Sequence, residues 1–248
     1  MADGIAALAL AAALPWPDRS AGNPPDQPLW TIEPAPPPVG VRHLASKDYV
    51  LKQRLLPAGL AELGRDTAET GAALAQGTQL IEVPTGVGPT FCEGDLQGDR
   101  KHGGRAQICF LDANRDGRFE GWFKRWSSTP ALVTISTHAP ETRPLAAPLP
   151  YRRLDPAASR LDAFVAIERR NFFNIYGRES FHIVFGSGDR KQRITAPIQF
   201  KSAEMPREVT ILGARFTALS EADGKMAIEV HSAMPAQPFG VIETFGYR

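Results

Sequence analysis

Apolar and polar residues alternate one by one through much of the C-terminal half of this 248-residue chain. That period restricts the fold more than any other feature. Successive side chains of a strand point to opposite faces, whereas a helix needs a repeat near 3.6. In FHIVF, Phe181, Ile183 and Phe185 share one face, with His182 and Val184 on the other. In ITAPIQF the shared face is Ile194, Ala196, Ile198 and Phe200, and Pro197, which has no N–H to give a ladder, marks an edge strand. KMAIEV groups Met226, Ile228 and Val230 opposite Lys225 and Glu229. Asp223 and Gly224, between two such runs, tolerate positive φ and predict a β-hairpin. Upstream the apolar phase slips from Val209 and Ile211 to Leu212, Ala214 and Phe216, and Gly213 at the slip predicts a β-bulge. Shorter runs read as strands at 79–83, 107–111, 118–123 and 131–136, while GSGD at 186–189 reads as a turn. Helix signals are few: LPAGLAELG, 56–64, has the composition for one or two helical turns, and the leader is helical only if it is not cleaved.

Many short strands between turn residues predict an all-β fold, an antiparallel β-sandwich or a barrel-like domain. A membrane-spanning barrel is not expected, because such barrels repeat strands of ~10 residues and these runs are shorter and proline-broken. Nine prolines fall between Pro15 and Pro38, a density that forbids helix and central strand and favours an extended spacer. The expected organisation is a leader over 1–21, a proline-rich linker over 22–40 and an all-β domain over 41–248. A second proline-rich stretch, RPLAAPLPYRRLDPAA at 143–158, is read as an internal boundary or a long crossover between sheets.

Residues 5–14 are an unbroken apolar run, of signal-peptide length and too short to span a bilayer. Small residues follow it, as a signal peptidase requires, although Asp3 stands where a positive charge is usual. With no cysteine after the run, a lipobox is excluded. The expectation is export to the periplasm or beyond. Cys92 and Cys109 are the only cysteines and flank a loop between two strands. In an oxidising compartment such a pair forms a disulfide. Zinc held by Cys92, His102 and Cys109 lacks a fourth ligand and a Cys-x-x-Cys knuckle. In the cytosol the pair would remain two buried thiols.

The formal charge is +1, so no global field recruits nucleic acid or anionic lipid. In LDANRDGRFE, Asp112, Asn114 and Asp116 alternate ahead of Gly117, like the opening of a calcium loop, and Arg118 would offer its carbonyl. Glu120 stands at the ninth position, but the twelfth is Phe123 rather than a bidentate glutamate, and the flanks read as strands. This is no EF-hand. Two readings stay open: a weak calcium site on Asp112, Asn114, Asp116 and Glu120, or a polar turn built from residues that accept left-handed conformations. In GWFKRWSS, Trp122 and Trp126 share a strand face with Lys124 between them, an arrangement that stacks on a saccharide or a partner surface, or that plugs a core. The five histidines show no metal spacing, and His182 and His231 fall on polar strand phases as surface residues do. No nucleophile elbow, P-loop or dinucleotide fingerprint is present.

The reading that emerges is an extracytoplasmic bacterial binding or structural module, with an envelope protein or saccharide as partner and calcium as the one cofactor indicated. From another class comes a hydrolase whose residues are scattered over strands, and a third option is a calcium-stabilised structural envelope protein.

Overall fold

The computed structural model of the chain describes residues 29–68, 70, 73–83, 85, 87–94, 107–125, 141–171 and 178–240. The chain first lays down β1 (Trp30–Ile32), β2 (Val41–Leu44) and β3 (Tyr49–Pro57). It then builds β4 (Leu60–Leu63), β5 (Gln79–Glu82), β6 (Thr90–Glu93), β7 (Gln107–Leu111), β8 (Arg118–Arg125) and β9 (Arg143–Leu154). It continues with β10 (Ala163–Asn171), β11 (Arg178–Ser187), β12 (Arg190–Lys201), β13 (Arg207–Ile211), β14 (Ala214–Ala222), β15 (Lys225–Ser232) and β16 (Pro238–Phe239). Strands β4 to β9 pair in chain order and β9 pairs back to β4, closing a six-stranded barrel with no free edge. The others form a six-stranded sheet, β12-β11-β10-β3-β1-β16, and a four-stranded sheet, β13-β14-β15-β2. Both architectures that the alternation allows therefore occur in one all-β chain, the barrel inserted between β3 and β10.

Alternation explains where each core sits. In the barrel the inward residues include Leu80, Phe91, Ile108, Phe110, Phe119 and Trp122. Phe119 stacks on Tyr151 with ring centroids 4.2 Å apart, and Phe110 stacks on Phe119 at 5.3 Å. Each buried ring stabilises the fold by about 1.5–3 kcal/mol. The two open sheets enclose a larger core, in which Phe181 of β11 meets Phe216 of β14 edge-to-face at 4.8 Å. Outward residues of the barrel, Ile81, Cys92, Cys109 and Phe123, belong to that same larger core. The barrel is thus packed against the sheets through its outer wall.

A buried ion pair joins the two open sheets. Arg169, 0% exposed, holds Glu179 through two bonds of 3.1 and 3.2 Å and donates to the carbonyls of Leu44 and Gly224 at 2.6 and 2.8 Å. It ties β10 and β11 of one sheet to β2 and the β14–β15 hairpin of the other.

Several expectations hold. Strand β12 is an edge strand, Asp223 and Gly224 turn the β14–β15 hairpin at φ 53° and 73°, and Gly188 and Asp189 turn β11 into β12. Others are corrected. At Leu212 and Gly213 the chain reverses instead of bulging: both have positive φ, 49° and 75°, and Ile211 pairs with Ala214 across a second tight hairpin. A reversal shifts the apolar phase as a bulge does. The helical reading of 56–64 fails because Ala61 and Leu63 are needed on the barrel's inner face, and a strand presents them there. The linker reading of 22–40 fails at its proline-free window, where Trp30 and Ile32 are 2% and 0% exposed and β1 pairs with β3 and β16. The stretch 143–158 is mostly strand β9. Its prolines 144, 148 and 150 all precede the stretch Tyr151–Leu154 that β4 pairs, and Pro144 and Pro150 stand opposite Gly121 and Arg118 of β8, so the prolines fall where β9 has its fewest ladder partners. The run at 131–136 and the leader at 1–21 lie outside the described residues.

Candidate functional site

The acidic loop connects β7 to β8. Leu111 pairs with Gly121, and residues 112–117 make the reversal, with Arg115 and Gly117 at φ 62° and 84°. Asp112, 1% exposed, accepts from the N–H of Asp116 and of Gly117, both at 3.1 Å, and from the Tyr151 hydroxyl at 2.7 Å. Asn114 Oδ1 accepts from Asp116 N at 2.9 Å, Asp116 Oδ1 from Arg118 N at 2.9 Å, and Glu120 Oε2 from Ala113 N at 2.9 Å. The loop acids are thus engaged by the loop's own backbone, the work that Asp and Asn do in turns. Carboxylate oxygens of Asp112, Asp116 and Glu120 nevertheless lie within 4.8 Å of one another, and Glu120 Oε1 is buried with no partner among the described residues. Through Tyr151, whose ring lies in the barrel, the loop is anchored to the barrel interior. Burial first, then the hydrogen bond and charge of Asp112, push the Tyr151 phenol up to about 12, with Arg153 acting the other way. Tyr151 therefore keeps its proton, and donates it to Asp112, through the neutral range.

Of the tryptophan face, Trp122 is 7% exposed and packs inside the barrel, with Arg143 5.4 Å and Lys124 5.9 Å from its ring. Lys124 is exposed, and Trp126 lies outside the described residues. Cys92 and Cys109 stand directly opposite on β6 and β7 and are joined as a disulfide.

The most heavily charged constellation lies elsewhere, on the outer face of the six-stranded sheet. There Glu168 of β10 is 0% exposed. Its Oε1 accepts from Arg170 Nε at 2.6 Å and Arg193 Nη2 at 3.1 Å, and its Oε2 from Lys191 Nζ at 3.0 Å. Lys191 also donates to the Tyr49 hydroxyl at 3.1 Å. Burial alone would push the Glu168 carboxyl up, but bonds from Arg170 and Lys191 and the charges of Lys191 and Arg193 hold it below the ordinary value. Spacing in the chain carries no hint of this group. The long side chains of Lys191 and Arg193 lean across β11 to reach a carboxylate on β10, and only the strand register makes them neighbours. The sole trace is the shared parity of 168 with 170, and of 191 with 193.

Beside it, on β11, Ser180 Oγ and His182 Nε2 are 3.1 Å apart. Ser180 donates to the Arg170 carbonyl at 3.0 Å, which leaves its oxygen to accept from His182 Nε2–H, and the buried Nδ1 has no partner among the described residues. Burial and the nearby Arg193 lower the His182 pKa. His182 is 6% exposed, not the surface residue its polar phase suggested: β11 lies between β10 and β12, and His182 stands opposite Glu168. The pair resembles the start of a nucleophilic triad but cannot act as one. Its hydroxyl proton is committed to a carbonyl, Ser180 is 1% exposed, and the adjacent carboxylate is held by three cations.

Comparison with family models, with curated proteins and with solved structures finds no match to this chain.

Proposed function

We propose that this chain is an extracytoplasmic bacterial binding module, in which a disulfide-stapled barrel and sandwich present the outer face of the six-stranded sheet to a ligand. The observation that carries the reading is the cystine. Cys92 and Cys109 are both 0% exposed and sit where the barrel wall joins the larger core, so the bond belongs to the packed interior. Such bonds persist in oxidising compartments. The apolar run at 5–14 points the same way. Thiol trapping of the protein taken from its own cells, denatured without reductant, tests this: neither cysteine should alkylate, and two free thiols would sink the reading.

One observation favours a second role, a calcium-stiffened structural protein. Asp112, Asp116 and Glu120 converge, and Glu120 Oε1, which has no partner among the described residues, is an oxygen that a cation would engage. Asn114 would contribute its carbonyl oxygen and water the remainder, giving an affinity on the order of 10⁻⁴–10⁻³ M. Thermal melts in EDTA and in millimolar calcium decide it. A calcium-dependent rise in Tm that Asp116→Ala removes supports the ion; superimposable melts leave a turn held by backbone hydrogen bonds.

A further inference from the structure

The charge around Glu168 does not balance. Arg170, Lys191 and Arg193 all contact a single carboxylate, which leaves two positive charges in surplus. Their side chains are 27%, 39% and 33% exposed, so the charged heads reach solvent while Glu168 beneath them does not. One cation would suffice to neutralise a buried acid, and like charges crowded together repel. Nor does the carboxylate exhaust their donors. A guanidinium has five N–H groups and an ammonium three. Arg170 and Arg193 donate only to Glu168 among the described residues, and Lys191 only to Glu168 and Tyr49. Arg193 Nε is buried with no acceptor among the described residues. Lys52 lies on the same face, its ammonium 4.1 Å from the Phe164 ring, and adds positive potential with no ion-pair partner among the described residues.

We propose that Arg170, Lys191 and Arg193 form a binding site for a dianionic oxyanion of the phosphate monoester type, with Glu168 as the fixed acceptor that sets the three heads in place. A dianion matches the surplus of two, and its several oxygens match guanidinium forks better than one carboxylate does. Three rigid strands hold the geometry. Arg170 stands two residues from Glu168 on β10, and Lys191 and Arg193 reach over from β12 across β11. Each head therefore pivots about a bond to Glu168, which limits the side-chain entropy lost when the anion arrives.

The test is calorimetric titration of the full chain with inorganic phosphate and with sulfate, against chloride at matched ionic strength. The expected result is a saturable isotherm with phosphate that chloride does not reproduce. Arg193→Gln weakens it about tenfold, the loss of one charge-assisted contact, while Lys225→Gln, an exposed cation on another sheet, leaves it unchanged. Glu168→Gln supplies the sign that a merely structural cluster would not: it lowers Tm in chloride yet tightens phosphate, since the surplus rises from two to three. If Arg193→Gln does not fold, Lys191→Gln takes its place. Heats that do not distinguish phosphate from chloride overturn the site, as does an isotherm that none of these variants alters. Sedimentation with phosphatidylcholine vesicles containing phosphatidic acid separates the sources: capture lost on adding free phosphate marks a lipid head group, and no capture beside an intact isotherm marks a soluble phosphate. Failure here leaves the thiol-trapping result untouched.

Discussion

Arg169 shows how much one residue can determine. Its guanidinium is 0% exposed; Glu179, 1% exposed, receives two of its bonds, and Glu221 stands 3.6 Å away. Truncating one member of such a pair strands the other's charge without water. Arg169→Ala is expected to cost about 3–5 kcal/mol, read as a fall in the urea midpoint, while the double change Arg169→Met with Glu179→Leu recovers most of it. His182 makes a second case. Its pKa is lowered in the folded state, first by burial and then by Arg193, with Arg170 adding and Glu168 opposing. As pH falls below about 6.5 the unfolded chain takes up this proton before the folded one does. The contribution is thus fully present above about 6.5 and is lost on acidification below it. Glu168, also lowered, acts in a separate window: its share is present above the ordinary carboxylate range and disappears as pH falls toward its depressed folded value. His182→Gln should flatten the dependence of stability on pH below about 6.5, measured by urea unfolding; an unchanged slope would mean that the ring titrates normally.

At the scale of elements, two glycines in like turns separate strain from space. Gly224 has φ 73° with nothing near an added Cβ, whereas a Cβ on Gly213, at φ 75°, would meet Pro235 Cδ at 2.7 Å. Gly224→Ala should cost about 1–2 kcal/mol of backbone strain alone. Gly213→Ala should cost clearly more, and comparing the two Tm values is sufficient to check the order. The same region shows what a sequence conceals. A slip in apolar phase is compatible with a bulge or with a reversal, and Leu212 at positive φ is a choice local propensity would not make. Strand β9 conceals more. Its prolines read as an interruption until the pairing is known, because a proline's cost depends on which side carries a neighbour. FHIVF and KMAIEV lie in β11 and β15, where the alternation put them, although β11 buries its second face as well, with His182 and Val184 6% and 0% exposed.

For the whole molecule, the cystine lies in the core that barrel and sheets share, so the two parts should unfold together. Cys92→Ala with Cys109→Ala is expected to lower stability by about 3 kcal/mol, the value for a loop of this length, and to keep a single calorimetric transition. Two separated transitions would show that the barrel folds apart from the sheets. The sequence by itself determined the class: period-two alternation, turn residues and paired cysteines are local statements, legible wherever a strand buries one face. It also named the residues of the β7–β8 loop, since they are neighbours in the chain. Only the tertiary structure decided the closure of six strands into a barrel, the burial of Trp122 and the cation cluster on Glu168. Those depend on which strands pair and in what register. A net charge of +1 says nothing of a face on which positive side chains from distant strands gather around one acid.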